Sequence, residues 1–169
     1  DLKGVYPVVF GRGYEELDHA ASYSIPAEVI PGISSSIGVP GLQQIPVTHR
    51  GLSESFWVVT GTTMDGQVSG DLYDAAKTKA TVVVLMGLRK LAEIVKIYQG
   101  EGKNRLPVAV IQSGSIDNEK VAIGVIDTIV ELVEEKTIKS PALIVIGDVV
   151  SLHPQFQPIR EFYDIVAEE

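Results

Sequence analysis

The sequence predicts an α/β fold, and three observations carry that expectation. Short apolar runs rich in Val and Ile alternate with segments of helical period, the pattern of βα units around a mostly parallel sheet covered on both faces. Glycine-containing turns follow the strand-like runs, at Gly11-Arg12-Gly13, Pro31-Gly32, Gly61, Gly87, Gly114 and Gly147. Finally, 169 residues that are 45% hydrophobic and 21% charged are enough to bury a core and too apolar for a disordered chain.

In chain order, a helix is expected over 11–24, where Leu17, Ala20 and Ala21 recur at helical spacing. Glu15, Glu16 and Asp18 sit near its start, where negative charge favours the helix dipole. A strand over 27–30 stops at Pro31-Gly32. Any of Ser34, Ser35 and Ser36 can cap the next helix, which Pro40 and Gly41 shorten or kink on the way to Leu42. Residues 45–55, IPVTHRGLSES, show no clear period and read as a linker between two lobes. Beyond it the pattern predicts strands over 56–60, 81–85, 107–112, 120–124 and 142–146. Helices are expected over 70–77, 88–99 and 126–135, and a hairpin around Asp117-Asn118. The last helix carries Ile126, Ile129, Val130 and Val133 on one stripe, with Asp127, Glu131, Glu134 and Glu135 outside. The division that follows is 1–50 for the remainder of a first lobe, 51–152 for a second, and 153–169 for a tail with two prolines and a short amphipathic stretch. The absence of an initiator Met before Asp1 reads as a cut into a larger protein.

Composition excludes several classes of function. Fourteen Lys and Arg against 22 Asp and Glu give a net charge of -8, so no global positive field attracts nucleic acid. With no cysteine, disulfide scaffolds, zinc-thiolate sites and thiol catalysis are excluded, and three scattered histidines form no metal cluster by sequence. Apolar runs at 80–85 and 142–146 fall far short of the roughly 20 residues that cross a bilayer. The first residues do not form a signal peptide, and a cytoplasmic protein without membrane partners is expected.

The residues that carry chemistry lie in the glycine turns and beside them. Ligands of open α/β sheets sit at the carboxyl ends of strands, so these turns outline a crevice, although any one of them serves equally as a tight βα turn. Read together, the segments KGVYPVVFGRGYEE, IPAEVIPGISSSIGVPGLQQIPVTHRGL, WVVTGT, VVVLMGL, PVAVIQSGS and SPALIVIGDVV resemble the tetrapyrrole methylase family, and within it the uroporphyrinogen-III C-methyltransferases. The resemblance runs to about Leu152. Its blocks FGRGxEE, VIPGISS and IPVTHRG, in this order and spacing, are far more specific than a lone glycine motif.

The resemblance implies a two-lobed fold, its first lobe incomplete at the N-terminus here, with S-adenosyl-L-methionine between the lobes. It also implies methylation of uroporphyrinogen III at carbons 2 and 7 to precorrin-2, with S-adenosyl-L-homocysteine as by-product, no metal, and a homodimer. Alternatives on the same scaffold are methylation of another precorrin, or a non-catalytic tetrapyrrole-binding fragment. By the same likeness Arg12, Glu15 and Arg50 bind substrate, and arginine forks suit its carboxylates. For Glu15, helix-dipole stabilisation is an equal explanation. His49 beside Arg50 could donate to a carboxylate or move a proton, or be a plain loop histidine. Donor contacts are implied for Gly4 with the following Val5, Tyr6 and Val9, and for Ser34, Ser35, Met86, Gly114 and Ala142. Met86 faces the substrate as well. No catalytic base is identified. One departure stands out: where the family reads KGGDP, this chain has Lys3-Gly4-Val5-Tyr6-Pro7, which replaces a glycine with a β-branched residue and a carboxylate with a phenol.

Overall fold

The structure, a computed structural model, describes residues 5–159. It contains α1 (Gly13–Ser22), α2 (Ser35–Leu42), β1 (Phe56–Thr60), α3 (Asp71–Lys77), β2 (Thr81–Leu85), α4 (Leu91–Gly100), β3 (Pro107–Gln112), β4 (Lys120–Val125), α5 (Ile129–Glu135) and β5 (Ala142–Ile146). Single 3-10 turns at Leu88–Lys90, Asp148–Leu152 and Pro154–Phe156 complete the order. Among the described residues no helix is long and apolar enough to cross a membrane.

The five strands form one sheet in the order β1-β2-β5-β3-β4. The sheet is not mostly parallel, as the apolar runs suggested. β1 and β2 are parallel, whereas β5 is antiparallel to both β2 and β3, and β3 and β4 form an antiparallel hairpin. The reason is physical: a continuous apolar run reports burial on both faces and says nothing about direction. All of β3 is buried, as are four of the five residues in each of β2 and β5, because these three are interior strands. The expected strand over 27–30 does not form either. Those residues are largely exposed and have no strand partner among the described residues, and without cross-strand hydrogen bonds an apolar run is not a strand. α1 is shorter than the expected 11–24, because Arg12 and Ser24 adopt left-handed backbone at its two ends.

Alternation along the strands divides the core. One face presents Val82, Val84, Val108, Val110, Ile144 and Ile146 to Leu72 of α3, Ile94 and Tyr98 of α4, and Ile129 of α5. The opposite face presents Val83, Ala109, Ile111, Leu143 and Val145 to Val39 of α2, to Ile45, and to Val149, Val150 and Phe156. Each large apolar side chain buried this way contributes about 1.5–3 kcal/mol. The second cluster holds α2 and the segment after it against the sheet, and thereby determines where the functional residues lie.

His153 is buried at the start of the last 3-10 turn, and its Nδ1 accepts from the Gln155 N–H at 3.1 Å. Burial, reinforced by nearby Lys136, lowers its pKa below the ordinary 6.5. The unfolded chain therefore binds more protons at mildly acidic pH, so the stability His153 contributes is present above pH 6.5 and lost as pH falls through the folded-state value. The unfolding midpoint should accordingly drop between pH 7.5 and pH 5.5, and thermal melts of His153→Gln should show a shallower drop.

Candidate functional site

The carboxyl ends of β1, β2 and β3 lie along one edge of the sheet, and β5, running the other way, brings its first residue there. Ala142 is paired with Gln112 at this edge, and the Ser113 N–H donates to the Pro141 carbonyl at 3.0 Å. Met86, directly after β2, adopts φ 57° with 56% of its surface exposed, and its carbonyl accepts from Thr62 Oγ1 at 2.9 Å. Below it the turns after β1 and β2 touch. The Gly61 N–H donates to the Leu85 carbonyl at 2.7 Å, and a Cβ on Gly61 would lie 2.2 Å from Gly87 Cα. After β3, Gly114 meets α2, where a Cβ would come within 2.4 Å of Val39 Cγ1. Gly147, grouped with these turns by sequence, stands at the opposite end of the sheet beside Thr81 and Pro107, because β5 is antiparallel.

α2 touches this edge at Val39, and its start faces Phe56 and Val58 of β1 across a cavity. Ser34 is its N-cap, 8% exposed, and its Oγ accepts from the Ser36 N–H at 3.3 Å and lies 2.8 Å from Ser36 Oγ. A cavity of about 380 Å³ opens between this helix start, the segment carrying Tyr6 and Val9, and the face of β1 that presents Phe56 and Val58. Its size falls in the range of small-molecule sites, and its walls are mainly apolar with the serines as polar groups. Ser34→Ala removes the cap. An unfolding free energy lower by about 1 kcal/mol is expected, which denaturant titration would detect.

A second, larger cavity of about 770 Å³ runs along α1 and is lined by Gly11, Arg12, Glu15, Glu16, His19 and Tyr23, among others. Arg12, at φ 55° and ψ 29°, projects a side chain that is 80% exposed, and its Nε donates to Glu15 Oε1 at 3.1 Å. Left-handed backbone at a non-glycine residue is strained by of order 1–3 kcal/mol, and such strain concentrates at functional sites. The Gly13 N–H donates to the Pro7 carbonyl at 2.9 Å, which folds this turn back on residues 6–7.

The expected residues thus fall into groups. Tyr6, Val9 and Ser34 share the smaller cavity; Met86, Gly114 and Ala142 share the sheet edge; Arg12 and Glu15 share the groove along α1. Ser36 lines the smaller cavity where Ser35 does not, and exposed Val5 lines neither cavity. Gly4 lies outside the described residues. His49 and Arg50 are exposed in a turn closed by a bridge between His49 and Ser53, with His49 Nδ1 2.8 Å from the Arg50 carbonyl. Arg12 lines the larger cavity, whereas His49 and Arg50 line neither, so the two arginines do not share one of these cavities. Phe56 and Val58 were missed by sequence reasoning, although the alternation of β1 carries the signal. Among the described residues no group of three or more His, Asp or Glu could hold a metal ion.

The sequence model described as Tetrapyrrole (Corrin/Porphyrin) Methylases matches residues 6–130. A uroporphyrinogen-III C-methyltransferase of Methanocaldococcus jannaschii is 41% identical over 154 residues, covering 89% of this chain and 63% of that protein. A siroheme synthase of Nitrosospira multiformis is 38% identical over 161 residues, covering 93% of this chain and 34% of the relative. The chain thus spans about a third of the length of such siroheme synthases. Among solved structures, uroporphyrin-III C-methyl transferase from Thermus thermophilus, complexed with S-adenyl homocysteine, superposes with TM-score 0.75 at 33% identity, covering 89% of this chain and 66% of that one. A cobalt precorrin-4 methyltransferase, at 19% identity and TM-score 0.78, shares the fold. The architecture is therefore that of the crystallised methyltransferases that act on tetrapyrroles. The chain belongs to the tetrapyrrole methylase family.

Proposed function

We propose that this chain is the substrate- and donor-binding part of a uroporphyrinogen-III C-methyltransferase, acting at carbons 2 and 7 to give precorrin-2. The observation that carries the reading is the cavity that Tyr6, Val9 and Ser34 line together at the start of α2, the helix whose Val39 lies against Gly114. S-adenosyl-L-methionine supplies a methyl already activated by its positive sulfur, so the protein's task is to align, to hold charge and to exclude water. Ser34 and Ser36 would receive the donor's carboxylate at the positive end of α2. Met86 and the backbone at Gly114 and Ala142 would meet its nucleoside end. The pyrrole carbon forms a bond to the methyl as the carbon–sulfur bond breaks, and the ring later loses a proton. Arg12 and Arg50 would hold the acidic arms of the macrocycle as charge-assisted pairs. Tyr6 fits a donor cavity as an apolar wall, without the charge of the acidic residue the family has there.

Two α/β lobes divided near residue 50 and a homodimer belong to the same proposal. Exposed Ile25, Ile30 and Ile33 support association, and sedimentation velocity tests it. Calorimetry with S-adenosylhomocysteine and with uroporphyrin III tests the function. Binding of both is expected; binding of the porphyrin alone would favour a non-catalytic tetrapyrrole-binding module, and binding of neither would leave the fold without this function.

A further inference from the structure

We propose that Glu119 is a positioning residue for donor binding, acting as a clasp that locks the Gly114 turn to α2. This rests on the reading that Ser34 and Gly114 contact the methyl donor. Glu119 ends the connection between β3 and β4, and both of its oxygens are used. Oε1 accepts from Gln43 Nε2 at 2.5 Å, and Oε2 accepts from the Ser115 N–H at 2.9 Å. Gln43 is the C-cap of α2, so one carboxylate joins the far end of that helix to the residue after Gly114.

The turn needs such a restraint. Ser113 and Ser115, on either side of Gly114, stand at φ 50° and 76°, left-handed conformations that an L residue holds only when its surroundings enforce them. The Ser113 end is held by the Pro141 carbonyl and the Ser115 end by Glu119. Between them Gly114 lies against Val39, in the middle of α2. From Ser34 at one end to Gln43 at the other, α2 with its caps spans about 13 Å at the helical rise. The clasp therefore fixes the nucleoside side of the donor site relative to its carboxylate side. The pair is bridged across 76 residues of sequence, and both Glu119 oxygens are taken by Gln43 and Ser115, so Glu119 works through the turn.

An exchange of the two side chains tests this on the full chain. Glu119→Ala removes both acceptors, and Gln43→Glu sets two carboxylates against each other; each is expected to raise the dissociation constant of S-adenosylhomocysteine about 10-fold. The exchange, Glu119→Gln combined with Gln43→Glu, restores both bonds. The new amide at position 119 donates to the new carboxylate at position 43, and its carbonyl accepts from the Ser115 N–H. This double variant should return the constant to within about threefold of the parent. Uroporphyrin III affinity should stay unchanged in all three, a split that a general loss of folding would not produce, and circular dichroism melts confirm that each variant is folded. The proposal is overturned if the folded single variants bind S-adenosylhomocysteine like the parent, or if the exchange fails to restore affinity. If the parent itself does not bind this nucleotide, the donor reading fails and the clasp's role falls with it.

Discussion

Arg12→Ala should weaken uroporphyrin III binding roughly 10- to 100-fold while leaving S-adenosylhomocysteine affinity within about twofold, and Arg50→Ala should do the same. The expected size follows from charge-assisted hydrogen bonds to carboxylates, the stronger class of polar contact. The selectivity follows from location: Arg12 lines the groove along α1, whereas the proposed donor contacts Tyr6, Val9 and Ser34 line a different cavity. Arg12 also holds Glu15 at 3.1 Å, yet that pair is exposed and contributes little to stability, so the melting temperature should barely move. Raising salt should weaken porphyrin binding in the parent more than in either variant, because the arginine contacts are screened. Titration calorimetry of both ligands against each variant decides the matter. Equal losses of porphyrin and nucleotide would assign these arginines to the scaffold.

Gly61→Ala should destabilise the protein by about 3 kcal/mol, lowering the melting temperature by roughly 10 °C, with loss of nucleotide binding in whatever remains folded. The added Cβ would stand 2.2 Å from Gly87 Cα, so two backbone turns would have to separate; no flexible side chain can move aside. That separation breaks the bond from the Gly61 N–H to the Leu85 carbonyl and shifts Met86, whose carbonyl is tied to Thr62. Gly70→Ala is the matched control. Gly70 lies in ordinary right-handed backbone with open space around it, and its replacement should change stability by no more than about 0.5 kcal/mol. Thermal melts that show equal effects at the two positions would refute the close-approach argument.

Part of the local geometry of the candidate site was legible in the sequence. A serine cap before an apolar helix was readable without the choice among Ser34, Ser35 and Ser36, which the structure makes in favour of Ser34, and the Asp117-Asn118 turn marked the β3–β4 hairpin. Met86 and Gly114 were readable as the ends of apolar strands. Arg12 was visible through its motif, but its strained backbone and its bond to Glu15 were not, since neither follows from residue type. Phe56 and Val58 were hidden for a different reason. Alternation along β1 separates its two faces without saying which one meets α2.

The sequence alone determined which segments are buried on two sides, which segments form helices, and which motifs tie the chain to its family, because each of these depends on residues within a few positions of one another. The starts of α1, α4 and α5, two or three residues later than expected, were not determined by it. Tertiary structure decided the direction of β5, and with it that Ala142 joins the site while Gly147 faces the other end of the sheet. It also decided that Glu119 would find Gln43. Burial periodicity is local and has no polarity, whereas strand direction and a hydrogen bond across 76 residues depend on how distant segments pack together.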